Sequence, residues 1–340
     1  MDAANDGPHE AKVKRPSARQ GAARKEGRQK LLVTGAGGAL GRRVVTRLKD
    51  DYDVVGVDFR WRKNLDPDIV HYEVDFNKRS FEDVFREHHF AGILHLGRII
   101  ASEMTRPRRY DSNVLGTQRL FQLGVKYGVA RVLVLSTHFV YGAHPLNPAL
   151  LDEDAPLKAS AVTGELVDSV ETESLANIFL YKHPEMSVII LRPCNILGPD
   201  VSNALSRLLM QQYAPYLAGF SPMMQFLHVS DMADAVLLAF RKDVRGVFNV
   251  APDDWIGLQD AMELCGCTKV PLPSIPPLVP KMLATAFGRW SYPSYLINYL
   301  KYPVVIDGSA FRETFGFRPK RSLDEIFEYY RREKAKHRVA

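Results

Sequence analysis

The stretch over residues 30–58 constrains this chain most, because short apolar runs alternate there with glycines and a helical period. Residues 31–33 form an apolar run that is too short for a helix and is closed by glycines, which predicts a buried strand. Apolar side chains recur at helical spacing over residues 44–48, and residues 54–57 predict a second buried strand that ends at Asp58. The order strand, glycine turn, helix, strand predicts a βαβ unit.

The glycines of this unit point to a ligand that carries phosphates. Gly35, Gly38 and Gly41 follow Thr34 at three-residue spacing. A turn without Cβ atoms lets backbone N–H groups approach a pyrophosphate, and the N-terminus of the next helix attracts its charge. Gly41 also permits close packing of that helix against the first strand. The unit therefore predicts a dinucleotide site.

Asp58 indicates which dinucleotide is preferred. A carboxylate at the end of the second strand accepts hydrogen bonds from the ribose hydroxyls of NAD, whereas the 2′-phosphate of NADP would meet like charge. Arg60 and Arg62 follow closely and weaken that discrimination. We expect NAD as the cofactor.

The rest of the first 200 residues continues the alternation. Further strands are predicted at residues 70–74, 93–97 and 131–135, with helices at 81–88, where Ser80 is the expected N-cap, and at 113–127. This pattern predicts an α/β fold with a doubly wound parallel sheet of the Rossmann type. Ligands bind at the carboxyl ends of such strands. Five predicted strand ends carry Gly35, Asp58, Asp75, Gly97 and Thr137.

Several motifs occur together in an order typical of one family. They are Thr34-Gly-Ala-Gly-Gly-Ala-Leu-Gly41, Asp58, Asp75, His95-Leu-Gly97, Asn113-Val-Leu-Gly-Thr117, Ser136-Thr-His-Phe-Val-Tyr-Gly142, Leu191-Arg-Pro-Cys-Asn-Ile-Leu-Gly-Pro199, Phe226-Leu-His-Val-Ser-Asp231 and Phe315-Gly-Phe-Arg-Pro319. Over residues 30–330 the chain resembles the extended short-chain dehydrogenases, the NAD-dependent sugar-nucleotide epimerases and dehydratases. The resemblance implies an NAD-binding Rossmann domain at 30–200 and a small α/β substrate lobe at 201–340 that returns elements to the Rossmann domain. Residues 1–29 hold few large apolar residues and many basic ones, which predicts a disordered basic tail.

The resemblance also implies roles for individual residues. Thr137 takes the place of the family's catalytic Ser or Thr, and Asn195 the place of a residue that contacts substrate. Asp75 is expected either to contact adenine or only to cap the next helix, and Asn113 either to cap its helix or to lie near the cofactor. The cofactor-binding residues carried over are Gly35, Gly38, Ala39, Leu40, Gly41, Asp58, Asp75, Phe76, Leu96, Gly97, Asn113, Ser136 and Pro193.

The chain departs from the family at the catalytic Tyr-x-x-x-Lys pair. Aligned from the acidic stretch that ends at Pro156, Thr163 stands in the place of the tyrosine and Val167 in the place of the lysine. Tyr181 is the only tyrosine between residues 142 and 190, and no lysine follows it at the required spacing. A threonine hydroxyl is too weak an acid to replace a phenol, and valine cannot hold a ribose hydroxyl.

Two kinds of function therefore remain open. One is a non-catalytic NAD-binding sensor or scaffold. The other is an active epimerase, dehydratase or reductase acting on a nucleotide sugar, with His138, Glu165 or Asp168 as the substitute base. We interpret His138 and His95 first as packed histidines, and the two carboxylates as the polar face of a helix.

Composition limits location and partners. The net charge is +6, and Cys194, Cys265 and Cys267 form neither a disulfide framework nor a metal-binding pattern. No signal peptide or transmembrane segment is predicted, so we expect a cytoplasmic protein. We expect a small-molecule ligand and no specific nucleic acid, and leave open a homodimer and contact of the basic tail with a membrane surface. Residues 282–300 are interpreted first as a packed lobe helix, and a substrate lid, a dimer face and a membrane-surface helix are the alternatives.

Overall fold

The computed structural model describes residues 12–15, 27–60, 65–99, 105–273 and 295–339. The strands are β1 Lys12–Lys14, β2 Lys30–Thr34, β3 Asp53–Asp58, β4 Val70–Glu73, β5 Phe90–His95, β6 Arg131–Leu135, β7 Ser187–Pro193, β8 Asn195–Leu197, β9 Tyr213–Leu217, β10 Met223–Met224, β11 Phe226–His228, β12 Gly246–Val250, β13 Ile256–Gly257 and β14 Thr268–Leu272. The α-helices are α1 Ala39–Leu48, α2 Arg79–Glu87, α3 Arg106–Tyr110, α4 Gly116–Lys126, α5 Ala159–Val162, α6 Val167–Lys182, α7 Ala204–Met210, α8 Val229–Arg241, α9 Leu258–Leu264, α10 Leu296–Tyr299, α11 Ser309–Phe315 and α12 Leu323–Val339. Most of the segment interpreted as a lobe helix lies outside the described residues.

One eight-stranded sheet has the order β1-β4-β3-β2-β5-β6-β7-β12. From β2 the chain builds outward in one direction through β3 and β4, and in the other through β5 and β6. These neighbours pair in parallel. The reversal lies between β2 and β5, and it opens a crevice at their carboxyl ends. The predicted Rossmann-type α/β fold is confirmed.

The edge of this sheet differs from the prediction. β1 pairs antiparallel with β4, in the register Lys12 with Glu73 and Lys14 with His71. The prediction that residues 1–29 form a disordered tail is therefore wrong for Lys12–Lys14. Without β1, one side of β4 would present unpaired backbone groups, and a three-residue strand is enough to satisfy them. Residues 1–11 and 16–26 lie outside the described part of the chain.

The chain divides into two compact units that do not follow the predicted boundary at residue 200. The first unit contains residues 1–135, 171–190 and 239–246, and the second contains residues 136–170, 191–238 and 247–340. Residues 136–170 and 191–200 thus join the C-terminal region rather than the first 135 residues. The elements α6, β7, α8 and β12 each begin in one unit and end in the other.

The second unit has its own small sheets and its own core. β9 pairs with β14 and β8 with β11 in parallel, while β10 and β13 pair antiparallel. The core of this unit gathers buried side chains from α7, α9 and α12 around β8 and β11. Its largest buried members include Phe226, Phe327 and Tyr330.

Two predicted helix starts are wrong. α2 begins at Arg79, and its N-cap position is Lys78, which makes no side-chain cap. Ser80 therefore lies inside the first turn, and Phe81 N donates instead to the carbonyl of Lys78. Asn113 is not an N-cap either. It lies in a π-helical turn, Asp111–Leu115, inside a helical stretch that runs from α3 into α4.

Among the described residues, no helix combines the length and the apolar character needed to cross a bilayer.

Glu82 joins α2 to α4 within the first unit. Its side chain is only 9% exposed. One carboxylate oxygen accepts from Lys126 Nζ at 2.6 Å and from Tyr127 Oη at 3.2 Å, and the other accepts from Arg119 Nη2 at 2.8 Å. The hydrogen bond from Lys126 is the main reason that the pKa of Glu82 falls to about 2.

Replacing Glu82 with glutamine is expected to lower the melting temperature at neutral pH, because three cations, Arg86, Arg119 and Lys126, lose their shared partner. A carboxyl with a depressed folded-state pKa stabilises the fold above its unfolded value, and that contribution fades as the pH falls through the folded value. The gap between wild type and Glu82→Gln should thus close between about pH 4.5 and about pH 2 in thermal melts. Asp83→Asn, on the exposed side of α2, is the matched control. A gap independent of pH would contradict the assignment.

Candidate nucleotide-binding site

A pocket lies in the first unit at the carboxyl ends of β2, β3 and β5. Of the thirteen residues carried over from the resemblance, eleven line it: Gly35, Gly38, Ala39, Leu40, Gly41, Asp58, Asp75, Phe76, Leu96, Gly97 and Asn113. The other two, Ser136 and Pro193, belong to the second unit. The cofactor-binding residues carried over from the resemblance do not include eight further lining residues: Val57, Phe59, Arg60, His95, Arg98, Ile99, Ser112 and Thr117.

The glycine turn is packed so closely that side chains are excluded from it. A Cβ on Gly41 would lie 2.0 Å from the carbonyl oxygen of Gly35. Gly35 has a φ of +69°, and a Cβ there would lie 2.5 Å from the Cα of Gly97. The turn, the start of α1 and the end of β5 are therefore in direct backbone contact. A cradle of this kind exposes backbone N–H groups at a helix N-terminus, where anions bind.

Asp58 is buried at the end of β3 and holds the turn. Its Oδ2 atom accepts a hydrogen bond from the backbone N of Gly37 at 2.9 Å. The carboxylate thus fixes the glycine turn as well as lining the pocket. Sequence reasoning assigned Asp58 a role toward ribose and did not foresee this second contact.

Asp75 and Phe76 follow β4 on the same side of the pocket. Asp75 Oδ1 accepts from the backbone N of Asn77 at 3.0 Å, which is an Asx turn rather than a cap of α2. Phe76 stacks on Phe81, with ring centroids 4.4 Å apart. The turn and the stack together fix this side of the pocket before any ligand binds.

His95 is a buried histidine with a partner on each ring nitrogen, as predicted for a packed histidine. Nδ1 lies 2.7 Å from Thr34 Oγ1, and Nε2 lies 2.9 Å from Thr117 Oγ1. Thr117 donates its own hydroxyl proton to the carbonyl of Asn113, so His95 must donate through Nε2 and accept through Nδ1. Thr34 Oγ1 in turn accepts from the backbone N of Gly97. Burial lowers the pKa of His95 to about 4, so the ring is neutral at physiological pH.

Asn113 positions the loop after β5. Its Oδ1 atom accepts from the backbone N of Ile99, and its Nδ2 atom donates to the carbonyl of Ile99, both at 2.9 Å. The π-helical turn adds one residue to the helix at this point, and such turns are frequent at functional sites. The period of the sequence gives no sign of it, because a single π turn barely shifts the apolar pattern.

The candidate catalytic residues lie in the second unit. Thr137 is half-buried, and its Oγ1 accepts from the backbone N of Phe139 at 3.3 Å. His138 is buried, and its Nδ1 lies 3.0 Å from the carbonyl oxygen of Pro193, to which it donates. Burial lowers the pKa of His138 to about 4. A ring with so acidic a conjugate acid is a poor general base at neutral pH.

The positions that replace the Tyr-x-x-x-Lys pair serve backbone structure. Thr163 caps a short 3₁₀ turn, Gly164–Leu166, by accepting from the backbone N of Glu165. Val167 begins α6. Glu165 Oε2 accepts from the backbone N of Tyr295 at 3.2 Å, and Asp168 is buried.

Tyr141 is a buried phenol that sequence reasoning passed over. Its hydroxyl donates to Asn249 Oδ1 at 2.8 Å and accepts from Arg192 Nη1 at 2.7 Å. Burial raises the pKa of Tyr141 to about 12. Arg192 also donates to the carbonyl of Glu153. The phenol is thus a structural node between the segment after β6 and the strands β7 and β12.

Asn195, the predicted substrate contact, is half-buried in β8. Its Nδ2 atom donates to the carbonyl of Gln225 at 3.0 Å. Gln225 is itself buried and uses its side-chain amide on the backbone of Pro252 and Ile306. The contact of Asn195 with a substrate stays a prediction.

Gly41→Ala is expected to reduce both stability and dinucleotide affinity, because the added methyl group cannot fit beside the backbone of Gly35. Gly124→Ala is the matched control, since it is also a buried helical glycine of the first unit. There the nearest atom to the new Cβ would be Met186 Cε, a flexible side-chain end, at 3.1 Å, and the next atoms, of Ile93 and Val129, would lie at ordinary contact distances of 3.7 Å and 3.9 Å. Thermal melts and calorimetric titration with NAD would measure both effects. Equal behaviour of the two variants would show that the turn is not close-packed.

Comparison with known proteins agrees with this geometry. A profile of the NAD dependent epimerase/dehydratase family matches residues 31–251. An uncharacterised protein of Mycobacterium tuberculosis is 30% identical over 221 residues, which is 65% of this chain and 59% of that protein. A bifunctional UDP-glucose 4-epimerase and UDP-xylose 4-epimerase of Arabidopsis thaliana is 27% identical over 63% of this chain and 72% of its own length.

A solved structure shows the same fold. The structure of MoeE5 in complex with UDP-glucuronic acid and NAD superposes with a TM-score of 0.71 at 23% identity, covering 91% of this chain and 99% of that one. The matched family is NAD-dependent, which agrees with the cofactor predicted from the sequence. The profile covers well over half of the 340 residues, and the chain therefore belongs to the NAD dependent epimerase/dehydratase family.

Proposed function

We propose that this chain binds NAD in the pocket of the first unit and does not carry out proton transfer by the Tyr–Lys route of its family. The observation that carries the proposal is the cradle formed by Gly35, Gly41 and Gly97, closed by the buried carboxylate of Asp58. Added Cβ atoms would fill this cradle, so it suits a ligand that approaches the backbone. A pyrophosphate next to a ribose has that shape and chemistry.

Each part of the pocket has a separate task in the proposal. The N–H groups at the start of α1 face the pyrophosphate, and Asp58 accepts from the ribose hydroxyls. Asp75 and Phe76 limit the adenine end, while Asn113 holds the loop at Ile99 in place. When bound, NAD would supply a hydride acceptor. The question that remains is which residue would move the accompanying proton.

The tyrosines nearest in sequence are poor replacements for the missing one. Tyr141 is buried, tied to Arg192 and Asn249, and has a raised pKa. Tyr181 is 82% exposed on α6. The hydroxyl of Thr163 is used in a cap, and the pKa of His138 is too low for efficient base catalysis at neutral pH. These observations support an NAD-binding protein that acts as a sensor or scaffold.

An active enzyme is the second candidate. The Arabidopsis relative is an epimerase of UDP-sugars, and MoeE5 was solved with a UDP-sugar and NAD. Thr137 retains the hydroxyl that positions a reacting oxygen in this family. Glu165 is a half-buried carboxylate two residues after Thr163, and a carboxylate in such surroundings is able to act as a base. A nucleotide sugar would then be the substrate.

NAD binding and sugar conversion, measured together, distinguish a sensor or scaffold from an active enzyme. Calorimetry with NAD should show saturable binding, and adding UDP-glucose or UDP-glucuronic acid should produce neither reduced nicotinamide absorbance nor a new sugar on chromatography. Conversion of any sugar by the wild-type chain would overturn the sensor reading and make Glu165→Gln the next variant. Absence of NAD binding would overturn the proposal as a whole.

Introducing the family's catalytic tyrosine and lysine should restore hydride transfer from a sugar to NAD if the rest of the pocket is intact. Thr163→Tyr with Val167→Lys is expected to fold, because both positions are only half-buried, Thr163 before the 3₁₀ turn Gly164–Leu166 and Val167 at the first residue of α6. A correctly placed acid–base group contributes roughly a factor of 10² to 10⁴ in rate. Reduction of NAD by a UDP-sugar should therefore appear in the double variant. Thr163→Phe with Val167→Lys, which lacks only the hydroxyl, is the control and should stay inactive.

Asp58→Asn is expected to weaken NAD binding about tenfold while leaving NADP binding less affected, because a charged acceptor of the ribose hydroxyls is lost. Asp53→Asn, at the opposite end of β3, is the matched control and should not change either affinity. Dissociation constants for both dinucleotides, measured by calorimetry, decide the matter. An unchanged preference for NAD in Asp58→Asn would show that this carboxylate serves only the glycine turn.

A further inference from the structure

The strand β1 is held on the edge of the sheet without burying a side chain. Lys12–Lys14 pair with β4 through backbone hydrogen bonds, yet all three residues are exposed, including Val13 at 41%. No apolar side chain of β1 is buried in a core. The strand is thus retained by its ladder and by charge, and both are available to any extended segment of suitable sequence.

Two glutamates at the edge of β4 favour basic side chains on the strand that pairs there. Lys12 Nζ lies 3.6 Å from Glu73 Oε1, and Arg15 Nη2 donates to Glu87 Oε1 at 2.7 Å. Glu73 is the last residue of β4, and Glu87 is the last residue of α2. A basic residue at the first and at the fourth position of a bound segment therefore each meets a carboxylate.

The side chain of Glu87 is held in place by a hydrogen bond from Tyr72. Its second oxygen, Oε2, accepts from the hydroxyl of Tyr72 at 2.7 Å, and that hydroxyl accepts from His88 Nε2 at 2.9 Å. Tyr72 is buried within β4 itself. The carboxylate that receives Arg15 is thus preorganised by the strand that receives the backbone, and a preorganised acceptor loses less side-chain entropy on binding.

We propose that the outer edge of β4, together with Glu73 and Glu87, is a docking site for an extended basic peptide. The chain's own segment Lys12–Arg15 occupies the site in the absence of a competitor. The partner class is a protein segment that adds as an antiparallel strand and carries Lys or Arg at its first and fourth positions. This site is separate from the dinucleotide pocket, and the inference does not depend on NAD binding.

Because the segment Lys12–Arg15 belongs to the same chain as β4, it competes more effectively for the edge of β4 than a free peptide does. Residues 16–26 connect it to the sheet, so it competes at an effective concentration on the order of millimolar. A free peptide of the same sequence must overcome that advantage. Reversing the charges of the tethered segment should therefore open the site, and salt should weaken every occupant, because the ion pairs are exposed and screened.

The test uses the full chain with Lys12→Glu and Arg15→Glu, and a fluorescein-labelled peptide of residues 9–18. Fluorescence anisotropy should show saturable binding, at least about tenfold tighter than to the wild-type chain, whose own segment competes. Adding Glu73→Gln and Glu87→Gln should weaken binding about tenfold, since two exposed ion pairs together account for a factor of that order. Glu263→Gln with Glu313→Gln, two exposed glutamates of the second unit, is the matched control.

Hydrogen exchange provides a measurement that needs no peptide affinity. The amides of Val70–Glu73 should exchange faster in Lys12→Glu/Arg15→Glu than in wild type, and added peptide should slow them again. Equal exchange rates in the two chains would overturn the proposal. So would peptide binding that is unchanged by Glu73→Gln and Glu87→Gln, or a failure of the peptide to bind the Lys12→Glu/Arg15→Glu chain. Dimerisation of the wild type through exchanged segments would overturn the tethered arrangement.

Discussion

Backbone contact between three glycines is the constraint on which the first unit depends. Gly35 contacts both Gly41 and Gly97 so closely that a Cβ on any of these residues would lie 3.0 Å or less from a backbone atom of another. This contact fixes the distance between the first turn of α1, the end of β2 and the end of β5. The crevice of the sheet takes its shape from that distance, and Asp58 then ties the turn to β3 through Gly37. The polar groups around the crevice are placed by backbone packing before any ligand is considered.

A buried chain of hydrogen bonds further fixes the strands and the helix around the pocket. It runs from Gly97 N through Thr34, His95 and Thr117 to the carbonyl of Asn113. Every hydroxyl in the chain donates once, so the tautomer of His95 has no freedom. Removing one member would leave a buried donor or acceptor without its partner, at a cost of about 1–3 kcal/mol. β2, β5 and α4 are thereby held in one register at the pocket, with a histidine that stays neutral because it is buried.

The sequence predicted this region well because its signals are local. A glycine turn, an acidic residue at a strand end and an apolar run each predict local structure without reference to distant residues, and the strand predicted at residues 131–135 is β6. Features that depend on distant partners were missed. The π-helical turn at Asn113 and the strand Lys12–Lys14 need the loop after β5 and the edge of β4, respectively, and neither leaves a periodic pattern. Tyr141 was missed for a similar reason, since its partners Arg192 and Asn249 lie 51 and 108 residues away.

The division into two units was misjudged for the same physical reason. The prediction places a boundary at residue 200, with elements of the C-terminal lobe returning to the Rossmann domain, whereas the strands β7 and β12 begin in one unit and end in the other. Composition does not change at the crossing in β7, because the buried apolar run over residues 188–191 continues from the first unit into the second. Only the partners of each residue reveal which unit it joins.

The polar groups of the second unit have a different character from those around the pocket. Thr137 accepts from Phe139 N, Thr163 from Glu165 N, and His138 donates to the carbonyl of Pro193. The polar side chains of Thr137, Thr163 and His138, at or beside the catalytic positions of the family, thus hold a turn or a strand end in this chain. These contacts hold each side chain in place through a hydroxyl lone pair of Thr137 and Thr163 and through the Nδ1–H group of His138. The lost tyrosine and lysine therefore are not an isolated change, because the neighbouring hydroxyls and imidazole are also engaged in structure. This is the physical reason for placing NAD binding before turnover in the proposed function.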